Sequence, residues 1–207
     1  MSEERVFIGS SGLKIEALVD RAEGPEAVVV THPHPLYGGD MYNNVVESIV
    51  RTYSQMGYST LRFNFRGVGA SEGQYDQGTG EQEDVNAALM FFSEAGKKRI
   101  DLAGYSFGAW VNAMGQRHLY QVDRMVMVSP PVNFIDFSFL GSCPEMKLVI
   151  AGSDDDIASP SLIKKMLPGW NPDTVFKVIQ GADHFYWGKL SELETGIRDF
   201  LDLEGKG

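Results

Sequence analysis

The chain has 207 residues, 43% of them hydrophobic and 22% charged, so it can bury a core without disulfides or a structural metal and is neither low-complexity nor disordered. Its net charge of −10 argues against nucleic acid and anionic membrane as partners, and its one cysteine, Cys143, excludes an intrachain disulfide and a cysteine-rich metal site. The N-terminal residues lack the basic and apolar regions of a secretory leader, and no apolar run approaches the roughly 20 residues needed to span a bilayer, so the expectation is a soluble, cytoplasmic protein in a single domain, 1–207.

In chain order, segments 5–8 and 13–19 flank Gly9-Ser10-Ser11-Gly12 and predict a hairpin. The second arm sets Leu13, Ile15, Ala17 and Val19 against Lys14, Glu16 and Leu18, as in a half-exposed antiparallel strand. Six short, continuous apolar runs follow at 27–30, 60–63, 99–103, 125–128, 147–151 and 175–179, which suit strands covered on both faces. Four apolar stripes predict helices. They are Val45, Val46, Ile49, Val50 and Tyr53; Val85, Ala88, Leu89 and Phe92; Phe107, Trp110, Val111 and Met114; and Leu190, Leu193, Ile197, Phe200 and Leu201. Alternating strands and helices predict an α/β protein: a mostly parallel eight-stranded sheet with an antiparallel N-terminal hairpin and helices on both faces. In such sheets ligands bind at the carboxyl ends of the strands, so reacting residues should follow strands directly.

Gly104-Tyr105-Ser106-Phe107-Gly108 meets that condition, lying between the strand 99–103 and the helix that opens at Phe107. A strand-to-helix turn this tight needs glycine at its flanks, lifts the serine oxygen above the sheet edge and sets it at the positive end of a helix. The competing explanation is a serine N-cap with glycines for packing. A serine hydroxyl needs a base and an acid to become nucleophilic. Two later strands run into Gly152-Ser153-Asp154-Asp155-Asp156 and Gly181-Ala182-Asp183-His184-Phe185, so an acid and a histidine arrive after strands in the order Ser, acid, His. His184 is the candidate base. His118, near the end of the serine helix, is placed to meet helix carbonyls or solvent instead. The residues alone leave Asp154, Asp155 and Asp156 open as the acid.

Together His32-Pro33-His34-Pro35-Leu36-Tyr37-Gly38-Gly39, Asn43-Asn44, Arg62-Phe63-Asn64-Phe65-Arg66-Gly67-Val68-Gly69, the serine pentapeptide and Gly181-Ala182-Asp183-His184-Phe185 resemble the small, lidless α/β-hydrolases related to dienelactone hydrolases and esterases. The resemblance spans essentially the whole chain. It implies the three-layer α/β-hydrolase fold without a cap domain, no cofactor, and Asp155 as the acid, with Asp154 and Asp156 as alternatives. It also implies an oxyanion hole made by the backbone N–H of Phe107 and one N–H from the loop after the third strand. Pro33 and Pro35 have no N–H, which leaves His34, with Leu36 as the fallback. Dienelactone hydrolases carry cysteine where this chain has Ser106, which separates it from their lactone specificity.

Gly67-Val68-Gly69-Ala70-Ser71-Glu72-Gly73 imitates a phosphate loop but lacks the third glycine spacing and the Lys-Ser/Thr of one, so a turn is expected, with Arg66 in an ion pair rather than on an anionic substrate. His32 and His34 have no third ligand close in sequence, and no metal is expected. The stretch 129–140 is too short for a cap. It could form ordinary packing, one wall of an acyl pocket, or a contact in a homo-oligomer. Tyr37, Tyr42, Phe185 and Trp187 are the other candidate pocket residues. The expected activity is hydrolysis of small carboxylic esters. Thioesterase, lactonase and peptidase activities on the same residues, or a binding protein that keeps the fold, are the alternatives.

Overall fold

In the computed structural model the described residues are 3–204; Met1 and Ser2, at the start of the segment read for a leader, and residues 205–207 lie outside them. The hairpin forms from β1 (Glu4–Ser10) and β2 (Leu13–Asp20). Its turn is Ser11-Gly12, with φ of 47° and 84°, the left-handed pair that matches strand twist and that glycine adopts freely. The remaining strands are β3 (Glu26–Thr31), β4 (Ser59–Phe63), β5 (Arg99–Tyr105), β6 (Arg124–Val128), β7 (Met146–Gly152) and β8 (Val175–Ile179). All eight join one sheet in the order β1-β2-β4-β3-β5-β6-β7-β8. β1 and β2 are antiparallel to their neighbours, and β3 to β8 are mutually parallel.

The helices are α1 (Asn44–Gln55), α2 (Thr79–Glu94), α3 (Phe107–Gly115), α4 (Pro160–Trp170) and α5 (Leu190–Glu204). Alternate residues of one strand serve opposite faces. Val28 and Val30 of β3 belong to the core on one face, together with Val45 and Ile49 of α1 and Ile197 and Phe200 of α5. Ala27 and Val29 belong to the core on the opposite face, together with Val85 and Leu89 of α2, Val111 of α3 and Ile163 of α4. Double coverage is why these strands read as continuous apolar runs rather than alternating ones. The result is three layers with no cap: the connection 129–145 between β6 and β7 contains neither helix nor strand.

Three details differ from the sequence expectations. Helix α4 was not marked by a stripe, because it buries only Ile163, Leu167 and Trp170 and carries Pro168. β5 runs two residues further than expected, through Tyr105, so Gly104 lies within the strand. Glu16 is buried rather than exposed, because the glycine-rich turn folds over β2. Its carboxylate accepts from Asn64 Nδ2 and the Ala70 N–H, both at 2.8 Å, and pairs with Arg5 at 2.6 Å. Burial opposes the charge on Glu16, but these donors hold its pKa below the usual carboxylate range. The glycines of that turn therefore serve a backbone bend, and Arg66 forms a bidentate ion pair with the buried Asp84 at 2.8 and 3.1 Å.

Candidate active site

Ser106 sits between the end of β5 and the start of α3, at φ 54° and ψ −117°. A non-glycine residue at positive φ is sterically disfavoured, so this backbone has to be held by its surroundings. The Ser106 N–H donates to the Val128 carbonyl of β6 at 2.9 Å. The flanking glycines are required by space. A Cβ on Gly104 would lie 2.7 Å from the Ala109 nitrogen, and one on Gly108 would lie 2.7 Å from the carbonyl carbon and oxygen of Thr31. The turn thus packs directly against the end of β3.

The serine, histidine and central aspartate come together from three strand ends. Ser106 Oγ is 3.0 Å from His184 Nε2, and His184 Nδ1 is 3.0 Å from each Asp155 oxygen. All three side chains are buried, Asp155 to 2% exposure. Asp155 Oδ1 also accepts from the N–H groups of Ile157 and Ala158 at 3.0 and 2.7 Å, which fixes the carboxylate plane. Burial alone would raise the Asp155 pKa, but His184, the Ala158 N–H and the neighbouring Ser129 hydroxyl outweigh it and hold the group below the usual carboxylate range. Asp154 and Asp156 are exposed, and Asp154 accepts from the Ser153 hydroxyl at 2.7 Å. Neither reaches His184.

The loop after β3 carries a 3-10 turn, Pro35–Tyr37, capped by His34. His34 Nδ1 accepts the Leu36 N–H at 3.2 Å, so that donor is already engaged. Among the described residues neither the His34 N–H nor the Phe107 N–H has a protein acceptor; Phe107, as the first residue of α3, has no carbonyl behind it. The His34 ring packs 4.6 Å from the Phe107 ring, and its Nε2 meets the Tyr75 hydroxyl at 3.2 Å. His32 is wholly buried. Its Nδ1 lies 2.6 Å from the Pro33 carbonyl, and its Nε2 accepts the Phe65 N–H at 3.0 Å. Burial, against the pull of that carbonyl, pushes its pKa down to about 4. Both nitrogens of His32 are therefore occupied in the neutral form, and no group of three potential metal ligands occurs among the described residues.

A cleft of about 360 Å³ opens over Ser106, between the His34 loop, the start of α3, the 129–140 stretch and the His184 loop. Tyr37 and Phe185 line it, as do Phe134 and Ile135, and no lysine or arginine does. Trp187 does not line it, contrary to the sequence expectation: the chain turns at Tyr186, φ 55°, which buries Tyr186 and leaves Trp187 73% exposed. Tyr42 also lies outside, against the Arg62 guanidinium. Three residues around the site were missed: Tyr105, whose hydroxyl donates to the His184 carbonyl at 2.9 Å, and Ser129 and Tyr186, whose hydroxyls are 2.8 Å apart. Tyr105 was inside the pentapeptide, and Ser129 directly follows a strand, so their positions were the available signal.

No helix is long and apolar enough to cross a membrane among the described residues. No known family profile matches the chain. An uncharacterized protein of Rickettsia prowazekii (strain Madrid E) is 37% identical over 207 residues, covering 94% of this chain and 87% of that protein. Among solved structures, an α/β serine hydrolase homologue from Coxiella burnetii is 33% identical, with a TM-score of 0.88 over 96% of this chain and 97% of that one. An α/β serine hydrolase without a lid from Xanthomonas campestris is 28% identical, with a TM-score of 0.88 over 98% and 94% of the two chains. Likeness at this identity over nearly the full length of both chains, on the same eight-stranded three-layer architecture, places the chain in the α/β-hydrolase family.

Proposed function

We propose that this hydrolase cleaves small carboxylic esters through an acyl-enzyme on Ser106. The observation that carries the proposal is the continuous hydrogen-bonded path Ser106 Oγ–His184 Nε2, His184 Nδ1–Asp155, at 3.0 Å per step, beneath an open apolar cleft. Ser106 Oγ attacks the ester carbonyl as His184 Nε2 takes its proton. Asp155 holds the imidazole with its proton on Nδ1 and stabilises the imidazolium. The carbonyl oxygen becomes an oxyanion beside the unpartnered N–H groups of Phe107 and His34, at the positive end of α3. His184 then returns the proton to the leaving alcohol. A water, deprotonated by His184, attacks the acyl carbonyl and releases the acid with Ser106 restored. The ester reading also draws on the apolar lining and on a cleft volume at the small end for ligand sites, which suits a compact uncharged substrate.

The test is Ser106→Ala on chromogenic p-nitrophenyl acetate and butyrate, with circular dichroism to confirm folding. Turnover should fall by about 10⁴-fold or more. A fluorophosphonate probe should label the parent protein at Ser106 and not the variant. Ester turnover retained in a folded Ser106→Ala protein overturns the proposal.

A further inference from the structure

His184 hangs from one edge of the sheet. It follows β8, an edge strand whose Val175 is exposed and whose Phe176, Lys177 and Val178 are only partly covered. Ser106 follows β5, and β6 and β7 lie between them. A shift of about 1 Å in such a pair is enough to forfeit much of the rate. The loop that bears His184 therefore needs anchors other than its own strand.

Two buried tyrosines provide them. Tyr105, the residue before Ser106, donates its O–H to the His184 carbonyl at 2.9 Å, and its ring lies 5.5 Å from the imidazole. This ties the backbone of the histidine to the strand that carries the serine. Tyr186, two residues past His184, is wholly buried, and its hydroxyl is 2.8 Å from Ser129 Oγ at the end of β6. Tyr186 and Ser129 have φ of 55° and 46°. Both thus adopt the backbone region least suited to side chains, and in that conformation their hydroxyls meet. Burial pushes both phenols above the ordinary tyrosine range, so each stays neutral and keeps its proton to donate.

We propose that Tyr105 and Tyr186, the latter through Ser129, are positioning residues that pin the His184 loop to β5 and β6 and so set the imidazole between Ser106 and Asp155. Neither touches the reacting atoms. The inference rests on the reading of Ser106, His184 and Asp155 as the reacting groups.

The test compares Tyr105→Phe, Tyr186→Phe and Ser129→Ala with Tyr58→Phe. Tyr58 accepts from Arg124 Nη2 at 2.6 Å beside the start of β6, at the opposite edge of the sheet, and so controls for loss of a tyrosine hydroxyl away from the site. Tyr105→Phe and Tyr186→Phe should each lower kcat for a p-nitrophenyl ester by roughly five- to tenfold with KM little changed, the rate equivalent of one lost hydrogen bond. Tyr58→Phe should lower Tm to a similar degree and leave kcat intact. Ser129→Ala should lose at least as much as Tyr186→Phe, because it removes that bond and also the hydroxyl beside Asp155, and adding Tyr186→Phe to Ser129→Ala should cost nothing more, because the shared bond is already gone. If Tyr105→Phe and Tyr186→Phe keep parental kcat, or lose it only as Tyr58→Phe does, the inference falls. With Ser106→Ala inactive, that result leaves the triad standing; with Ser106→Ala active, both fail.

Discussion

Asp155→Asn isolates the acid from its two neighbours. In the protein Asp155 Oδ1 accepts two backbone N–H groups, from Ile157 and Ala158, while both oxygens face His184 Nδ1. An asparagine keeps its carbonyl oxygen on the two backbone donors, because rotating the amide would set its NH₂ against both. The NH₂ then points at His184 Nδ1, where an acceptor stood. The imidazole must adopt the tautomer with its proton on Nε2, aimed at Ser106 Oγ, and can no longer remove the serine proton. Replacing the acid in this way costs about 10⁴-fold in kcat where geometry is preserved, which is roughly 5.5 kcal/mol of barrier. Asp154→Asn and Asp156→Asn alter exposed carboxylates that do not reach His184, and should stay within about twofold, as surface changes do. Steady-state kinetics on p-nitrophenyl butyrate, beside thermal melts of all three variants, measure the contrast. An Asp155→Asn enzyme within tenfold of the parent, or a larger loss at Asp154 or Asp156, refutes the assignment.

The pH dependence of stability follows from the environment of Asp155. Asp155 has a lowered pKa in the fold, so its contribution to stability is present above the ordinary aspartate value and is lost only as pH falls through the lower folded value. Circular dichroism should accordingly show a native protein at pH 5, and unfolding that tracks the ordinary aspartate value would refute the lowered pKa. Gly108→Ala drives a Cβ into the Thr31 backbone at 2.7 Å and should cost about 1–3 kcal/mol, or roughly 2–4 °C of Tm per kcal/mol. Gly9→Ala, with open space at its Cβ, should not change Tm, and equal melts for the two variants would refute the packing argument.

The layer order and the serine turn were legible because each rests on local rules. Continuous apolar runs such as Ala27-Val28-Val29-Val30 imply cover on both faces, and the sheet provides it. What stayed hidden depends on contacts distant in sequence. Glu16 looked like an outward residue of an alternating strand, yet Asn64 and Ala70, far along the chain, fold over it. Tyr186 and Trp187 are adjacent aromatics with the same composition signal, and only the positive φ at Tyr186 decides that one is core and the other exposed. Leu36 was a fair alternative donor until His34 Nδ1 engaged its N–H, a bond between neighbours that no spacing rule predicts. The three consecutive aspartates could not be ranked from residue type alone. The backbone bend that turns Asp155 inward and leaves 154 and 156 in solvent is a property of the β7 loop and its bonds to Ala182 and Ala158.

The strand order explains why residues so far apart in sequence share one cleft. In a parallel sheet every strand end points to the same edge, so groups following β3, β5, β7 and β8 converge there without long loops. β5 lies centrally: β3 on one side supplies the His34 N–H, and β7 and β8 on the other supply Asp155 and His184. The order leaves β6, between serine and acid, without a group in the proton path. Its end instead holds Ser129, pressed into a left-handed backbone and joined to Tyr186. The sheet's geometry thus places the proposed reacting residues within reach, and in the proposed scheme the side chains filling its intermediate position set how firmly the histidine is kept there. Rate should therefore respond to hydroxyls at Ser129 and Tyr186, which are buried outside the cleft lining, more than to exposed cleft aromatics such as Phe134.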